Sequence, residues 1–463
     1  MSVPEEHHTV IIVGGGPAGL ALSVVLGGWH PHYSESPALR ERYPQIADYV
    51  AAQEGSLLKL QMRDLVRANL PPVDLFRMLH HPRQMFVDLN QIAMEFRQSD
   101  PIDYLLVTQE EVGGLWNNAP HNLLTLSPAH WMELAFYPLE QYKQETGKEF
   151  GVNDLIKKTD LIDYYHSIPA RFEQQSRIRT DERVTRIEPD ERGFRITARN
   201  VSGFQAGRRR TGQPPVPQSG DERTPVEERH YTCQYIVYAT GQRGILRRLD
   251  VKGEDLDFVD PHYDRAEDYE GDRVLIVGGG RSADWAATEL HDAGKEVCYV
   301  MRQTQERHWQ LIGDSRGGLP YYARIAEILE GQSPRLEIVY DAHISHIEKV
   351  GDAGRVTIST TGSDRAVDVD HVIKEIGAWA DYSPIQGFAP LQLVETRDPY
   401  RFQVHQARTH PHNYESIDIP DLYLGGYLAQ GVGLVVIAMH GCTYAIAADI
   451  LEKDHTDSAS RKP

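Results

Sequence analysis

Near the start of the chain the apolar run Val10-Ile11-Ile12-Val13 leads into Gly14-Gly15-Gly16-Pro17-Ala18-Gly19 and then the helical pattern Leu20-Ala21-Leu22. A buried strand, a G-x-G-x-x-G turn and a helix is the opening unit of a dinucleotide fold. Gly14 permits the sharp turn, Gly16 lets backbone approach a pyrophosphate, and Gly19 allows close helix–strand packing. The helix N-terminus, with Pro17 and Ala18 in its first turn, then receives the phosphate charge. The pattern recurs at Val274-Leu275-Ile276-Val277-Gly278-Gly279-Gly280-Arg281-Ser282-Ala283. Two such cradles predict two dinucleotides on an α/β frame. The strand after the second, Glu296 to Met301, ends at Arg302, where an arginine accommodates a 2′-phosphate and an acid would read a ribose hydroxyl. NADPH is therefore favoured over NADH.

The first cradle lacks a prompt second strand. Residues from about Gly27 to Pro101 are rich in His, Pro and charge, so a helical insertion over about 30–101 is expected, with Tyr104 to Thr108 as the delayed strand. The acid for the adenosine ribose is sought at its end among Thr108, Gln109 and Glu110, with Glu110 chosen. Two further small-residue turns follow, Gly113-Gly114-Leu115-Trp116 and, after the strand Tyr235 to Tyr238, Ala239-Thr240-Gly241.

Lys and Arg number 48 against 67 Asp and Glu, a net charge of -19 at pH 7. A surface this acidic repels nucleic acid and anionic lipid, which leaves small-molecule chemistry. Cys233, Cys298 and Cys442 form no Cys-x-x-Cys pair, which argues against a disulfide framework, a dithiol centre or structural zinc. A reducing, cytoplasmic setting fits, with no export signal and no apolar run long enough to span a bilayer. No metal site is expected: His7-His8, His30-x-His32 and His80-His81 lack ligands at closing spacings and read as surface histidines, and His440 reads as a packed core residue. The Pro/Gly-rich stretch Gly203 to Glu228, with Arg208-Arg209-Arg210, reads as a mobile surface loop, and the tail beyond Lys453 as disordered.

The order GGGPAG, GGLW, ATG and GGGRSA with an Arg-ended strand resembles the flavoprotein monooxygenases with two dinucleotide-binding domains, of flavin-containing and N-hydroxylating type. Within them it is most similar to the oxidative-stress-induced growth inhibitor family. The long gap before GGLW, the stretch Leu126 to Leu134 and Leu422-Tyr423-Leu424-Gly425-Gly426 carry that narrower likeness. It implies two Rossmann-like domains, an FAD domain over 1–255 and 381–463 and an NADPH domain over 256–380 inserted in it; a homodimer is the expectation from base rates alone.

The resemblance further implies FAD on the first cradle, NADPH on the second and dioxygen as co-substrate, a C4a-hydroperoxyflavin oxygenating a small nitrogen or sulfur nucleophile. Its cofactor-binding residues are Gly14, Gly16, Pro17, Ala18, Gly19, Glu110, Gly114, Leu115, Trp116, Val184, Ala239, Thr240 and Gly241 for the first site. Gly278, Gly280, Arg281, Ser282, Ala283, Arg302 and Gly377 serve the second. Gly426 and Gly431 lie before a C-terminal helix, about Val435 to Leu451, whose dipole faces the flavin. Ser127, Asn117 and Gln430 are the catalytic candidates. Ser127 stands where flavin-containing enzymes carry an asparagine, Phe258 to His262 lacks the glycine of their fingerprint, and the usual acid near Gly426 is missing. Peroxide-releasing NADPH oxidase or reductase activity, and a non-catalytic nucleotide-binding role, are the alternatives.

Overall fold

The strand Glu5–Val13 ends in four fully apolar residues, Val10 to Val13, all buried. A strand covered on both faces belongs inside a parallel sheet. In the computed structural model, which describes residues 5–82, 92–201, 227–351, 353–397, 403–433 and 436–460, it pairs in parallel with Tyr104–Val107 on one side and Glu228–Tyr238 on the other. The delayed second strand thus lies where the sequence predicts. Ile178–Arg179 extends that edge. Glu228–Tyr238 is shared lengthwise: its first half pairs antiparallel with Gly193–Asn200, and Ile236 to Tyr238 pair in parallel with Leu422–Leu424. Glu182–Asp190 completes this seven-stranded sheet.

The second cradle sits on a five-stranded sheet ordered Val259–Asp260, His371–Glu375, Arg273–Gly278, Glu296–Val300 and Leu336–Val339, parallel throughout. An antiparallel meander, Ala342–Val350, Ala353–Thr360 and Ser363–Val369, follows its last strand.

The insertion after the first helix, Pro17–Leu26, is helical as expected: Pro37–Arg42, Pro44–Ala51, Met62–Arg67 and Pro72–His80. Three of these begin with proline, which loses nothing at a position whose N–H has no helical partner. The insertion is also bracketed by an antiparallel pair, Trp29–Tyr33 with Met94–Gln98. Trp29-His30-Pro31-His32-Tyr33 hides this strand in sequence because proline is confined to sheet edges.

The helix Val436–Ser460 closes the chain. It crosses Pro72–His80 so closely that a Cβ on Gly441 would stand 2.2 Å from Pro72 O. The tail beyond Lys453, expected to be disordered, instead continues this helix to Ser460. The reason is propagation: Cys442 to Ala447 are buried and hold the earlier turns, so each added residue gains a backbone bond on a helix already nucleated, and Thr456 Oγ1 donates to Glu452 O. The Pro/Gly-rich loop lies, through residue 226, outside the described residues. All three cysteines are free and buried, one in each sheet and one in the terminal helix. No helix among the described residues is long and apolar enough to cross a membrane.

Candidate functional site

Gly14 has φ +112°, and a Cβ there would lie 2.5 Å from Ala239 O. A Cβ on Gly19 would stand 2.0 Å from Gly14 O, so the strand, turn and first helix close only with glycine at these positions. The GGLW turn docks on the same cradle: Gly113 N donates to Gly15 O, and a Cβ on Gly114 would meet Gly16 Cα at 2.7 Å. From the far end of the chain Gly425 abuts Ala239, and Gly426, at φ +62°, abuts Ala18. Four glycine turns separated by hundreds of residues therefore meet at one helix end. That end carries Pro17 at its first position, no side-chain cap and no acid in its first turn. Its free N–H groups and the open side of Gly16 make an anion cradle. Leu115 leaves 44% of its surface exposed beside this turn.

The second cradle is built alike. Gly278 presses on Glu375 O, its Cβ position 2.4 Å away, and the helix Arg281–Asp292 starts from Gly280 with no side-chain cap bond. Ala283 is buried and Ser282 exposed. The acid of the first turn, Asp284, is removed into the core, where it accepts from Tyr299 Oη (2.9 Å), His308 Nε2 (2.8 Å) and Tyr322 Oη (3.0 Å). Its charge is thereby held by three donors instead of opposing a phosphate. Arg302 is exposed at the end of its strand. Arg247, which the sequence reading missed, joins it: its guanidinium stacks 3.6 Å above the Trp379 ring, its backbone N–H donates to Gly377 O, and its Nε is buried with no hydrogen-bond partner among the described residues. Burial and the nearby charge of Arg302 lower its pKa. Gly377, at φ +82°, faces Arg247 Nε.

Other expected residues are tied into the frame. Asn117 has both ends of its amide engaged, donating to Glu111 O (2.7 Å) and meeting His166 Nε2 (3.1 Å). It fastens the GGLW turn to the helix Lys158–Arg171. Glu110 accepts from Asn118 Nδ2 at 2.6 Å. Ser127 lies half-buried on Leu124–Pro128, its carbonyl accepting from Thr125 Oγ1. Val184 is buried on Glu182–Asp190, two residues past Glu182, whose N–H donates to Thr108 O at the end of the second strand. Gln430 is exposed, and Gly431, at φ +83°, has open space on its Cβ side, as does Gly241.

The turn 426–432 is clamped by two unforeseen amides. Gln242 donates to His405 O and Tyr427 O, and buried Gln406 to Tyr427 O and Val432 O. Gln406 carries no sequence signal. Asp284 does: an acid among the buried alanines 283, 286 and 287 sits on the core face of its helix.

The histidine reading needs correction. His80 is buried, not at the surface, and His30 is largely buried as well, whereas His440 is packed in the core as expected and His130 is buried too. His80 Nδ1 lies 3.0 Å from His440 Nδ1, and His80 Nε2 lies 3.2 Å from Glu133 Oε1. Spacing along the chain concealed this, because the crossing at Gly441 brings together residues 360 positions apart.

Residues 221–426 match the family described as pyridine nucleotide-disulphide oxidoreductase. Oxidative stress-induced growth inhibitor 1 of Homo sapiens is 24% identical over 488 residues, spanning 99% of this chain and 97% of that one. Among solved structures, the bacillithiol disulfide reductase of Staphylococcus aureus superposes with a TM-score of 0.61 at 16% identity, covering 97% and 99%. The ornithine N-hydroxylase of Kutzneria sp. 744, solved with reduced FAD, NADP+ and L-ornithine, gives 0.55 at 15%, covering 97% and 100%. The resemblance read from the motifs therefore stands: this chain has the mixed α/β fold of Rossmann-type flavoprotein oxidoreductases, carries the pyridine nucleotide-disulphide oxidoreductase pattern over residues 221–426, and is similar along its length to the oxidative stress-induced growth inhibitor proteins.

Proposed function

We propose that this chain is an FAD-dependent, NADPH-consuming monooxygenase of a small nitrogen or sulfur nucleophile. The observation that carries the reading is the meeting of Gly14–Gly19, Gly113–Gly114, Ala239 and Gly425–Gly426 at one uncapped helix end, together with a second uncapped cradle accompanied by Arg247 and Arg302. The first helix end holds the FAD pyrophosphate through backbone N–H groups, with the open sides of Gly241 and Gly431 leaving room for a flat ring. Arg281, Ser282, Arg302 and Arg247 hold NADPH, the arginines through charged hydrogen bonds to its phosphates. Bound FAD supplies the redox chemistry with NADPH and dioxygen. The chain contributes position, exclusion of water and hydrogen bonds: Gln242 and Gln406 hold the 426–432 turn, and Asn117 holds GGLW.

The second sheet draws its strands from 259–375, whereas Leu422–Leu424 returns to the first. This supports an NADPH domain over about 256–380 inserted between FAD-domain segments 1–255 and 381–463. One observation favours a second reading, peroxide-releasing NADPH oxidase: both ends of the Asn117 amide are engaged within the frame, and Ser127 stands in place of the family asparagine.

The test is a visible spectrum of the purified protein, then anaerobic NADPH, then air with an amine or thioether present. Bleaching by NADPH followed by oxygenated product at the expense of peroxide supports the monooxygenase. Bleaching with stoichiometric peroxide and no product moves the assignment to the oxidase, and protein that neither carries nor takes up flavin rejects both.

A further inference from the structure

We propose that His80, His81 and Glu133 bind one divalent first-row transition ion of the zinc class where the helix Pro72–His80 meets the turn Ala129–Trp131 and the terminal helix. One ligand atom from each lies within 4.8 Å of the other two. The edge from His80 Nε2 to Glu133 Oε1 is 3.2 Å. Two ligands at about 2.0–2.1 Å from a tetrahedral ion stand about 3.3 Å apart, so this edge already has the span an ion requires.

Each ligand is oriented through its other end, the arrangement that fixes tautomer and direction at metal centres. His80 Nδ1 faces His440 Nδ1 at 3.0 Å, Glu133 Oε2 accepts from Leu139 N at 2.8 Å, and His81 is hydrogen-bonded to the His130 backbone. His81 Nε2 remains buried with no hydrogen-bond partner among the described residues. The side chains of His80 and Glu133 are 0% and 2% exposed. No Lys or Arg among the described residues pairs with Glu133; a divalent cation would supply the missing positive charge. Two imidazoles and one carboxylate select a borderline ion such as Zn2+, Co2+ or Fe2+ over Mg2+ or Ca2+, and three protein ligands leave a position open.

The site ties three segments together and adjoins the Gly426 turn, because Met439 Sδ, one residue before His440, lies 3.6 Å from the Gly426 Cβ position. It does not depend on the flavin assignment.

The experiment uses the full chain produced without a histidine tag, stripped with chelator and titrated with ZnCl2 and CoCl2, Co2+ reporting its ligand field by visible absorption. One ion per chain is expected, with a tetrahedral or five-coordinate Co2+ spectrum. His440→Phe, which removes the partner of His80, should weaken binding by about 10–100-fold. Glu133→Gln and His81→Asn should weaken it further. His412→Ala, remote from the cluster, should leave it unchanged. Circular dichroism identifies any variant that has not folded, and the Glu133 and His81 variants serve as independent tests of the same ion. Stoichiometry well below one, or equal Co2+ affinity in wild type, Glu133→Gln and His81→Asn, overturns the proposal and leaves a neutral hydrogen-bonded core. Titrating chain with and without added FAD separates this outcome from failure of the flavin reading.

Discussion

Single residues carry the sharpest constraints. Gly14→Ala would set a methyl group 2.5 Å from Ala239 O on a backbone at φ +112°. A loss of about 1–3 kcal/mol in a urea melt is expected, with flavin content falling alongside. Glu254 is a second such place: its side chain is 1% exposed, and Lys374, 10% exposed, reaches it at 2.8 Å. Burial raises the Glu254 pKa, but the Lys374 hydrogen bond and the N–H groups of Leu249 and Asp250 outweigh it, so the carboxyl titrates below its ordinary 4.5. Lys374→Met leaves that buried charge with Arg248, 3.4 Å from Oε2, and two backbone N–H groups as its remaining partners, and should cost about 1–3 kcal/mol. Since a depressed carboxyl pKa stabilises the fold above its unfolded value and the gain is lost as pH falls through the folded one, the gap between wild type and variant should narrow below pH 4.5. A gap unchanged between pH 7 and pH 3.5 would contradict this account. The cradle glycines were legible in sequence because the Gly14 turn and the approach of Gly19 to Gly14 O lie within six residues, although the contact of Gly14 with Ala239 O comes only from the fold. Asn117, Gln406 and Arg247 owe their roles to partners in distant segments, and no local spacing encodes those.

At the scale of elements, apolar strands next to glycine turns were legible, as was the helical character of the insertion. The strand Trp29–Tyr33 was not, because its Pro31 and two histidines break the alternation by which a half-buried strand is read. The extent of the terminal helix was missed for the opposite reason: its last turns have no apolar pattern and persist by continuing a packed helix. The crossing of that helix over Pro72–His80 is set by Gly441. Gly441→Ala should force the helices apart, lower stability by about 1–3 kcal/mol in thermal or urea melts, and lengthen the His80–His440 contact. An unshifted melting temperature would mean that the crossing has slack.

For the whole molecule, coenzyme choice is the readable consequence of how its parts meet. Arg302 ends a strand of the second sheet, whereas Arg247 comes from the segment after the Ala239–Gly241 turn, and the two sit close enough for each charge to oppose the other. In the proposed NADPH site, a 2′-phosphate between them would relieve that repulsion. Arg302→Ala and Arg247→Ala should each raise the Kd for NADPH by about 10–100-fold, the worth of one or two charged hydrogen bonds, while leaving NADH nearly unchanged. Equal losses for both coenzymes would place the arginines elsewhere in recognition.

The three buried cysteines supply a built-in clock for local opening. Burial pushes the Cys298 and Cys442 thiols up to about 12 and the Cys233 thiol higher still, so none reacts while its surroundings stay closed. One sits in the first sheet, one in the second and one in the terminal helix, so the rate at which an alkylating reagent marks each by mass spectrometry times the breathing of that region separately. This sulfur stays out of reach of any reagent in solution until a region opens, and the order in which the three are marked would show which gives way first.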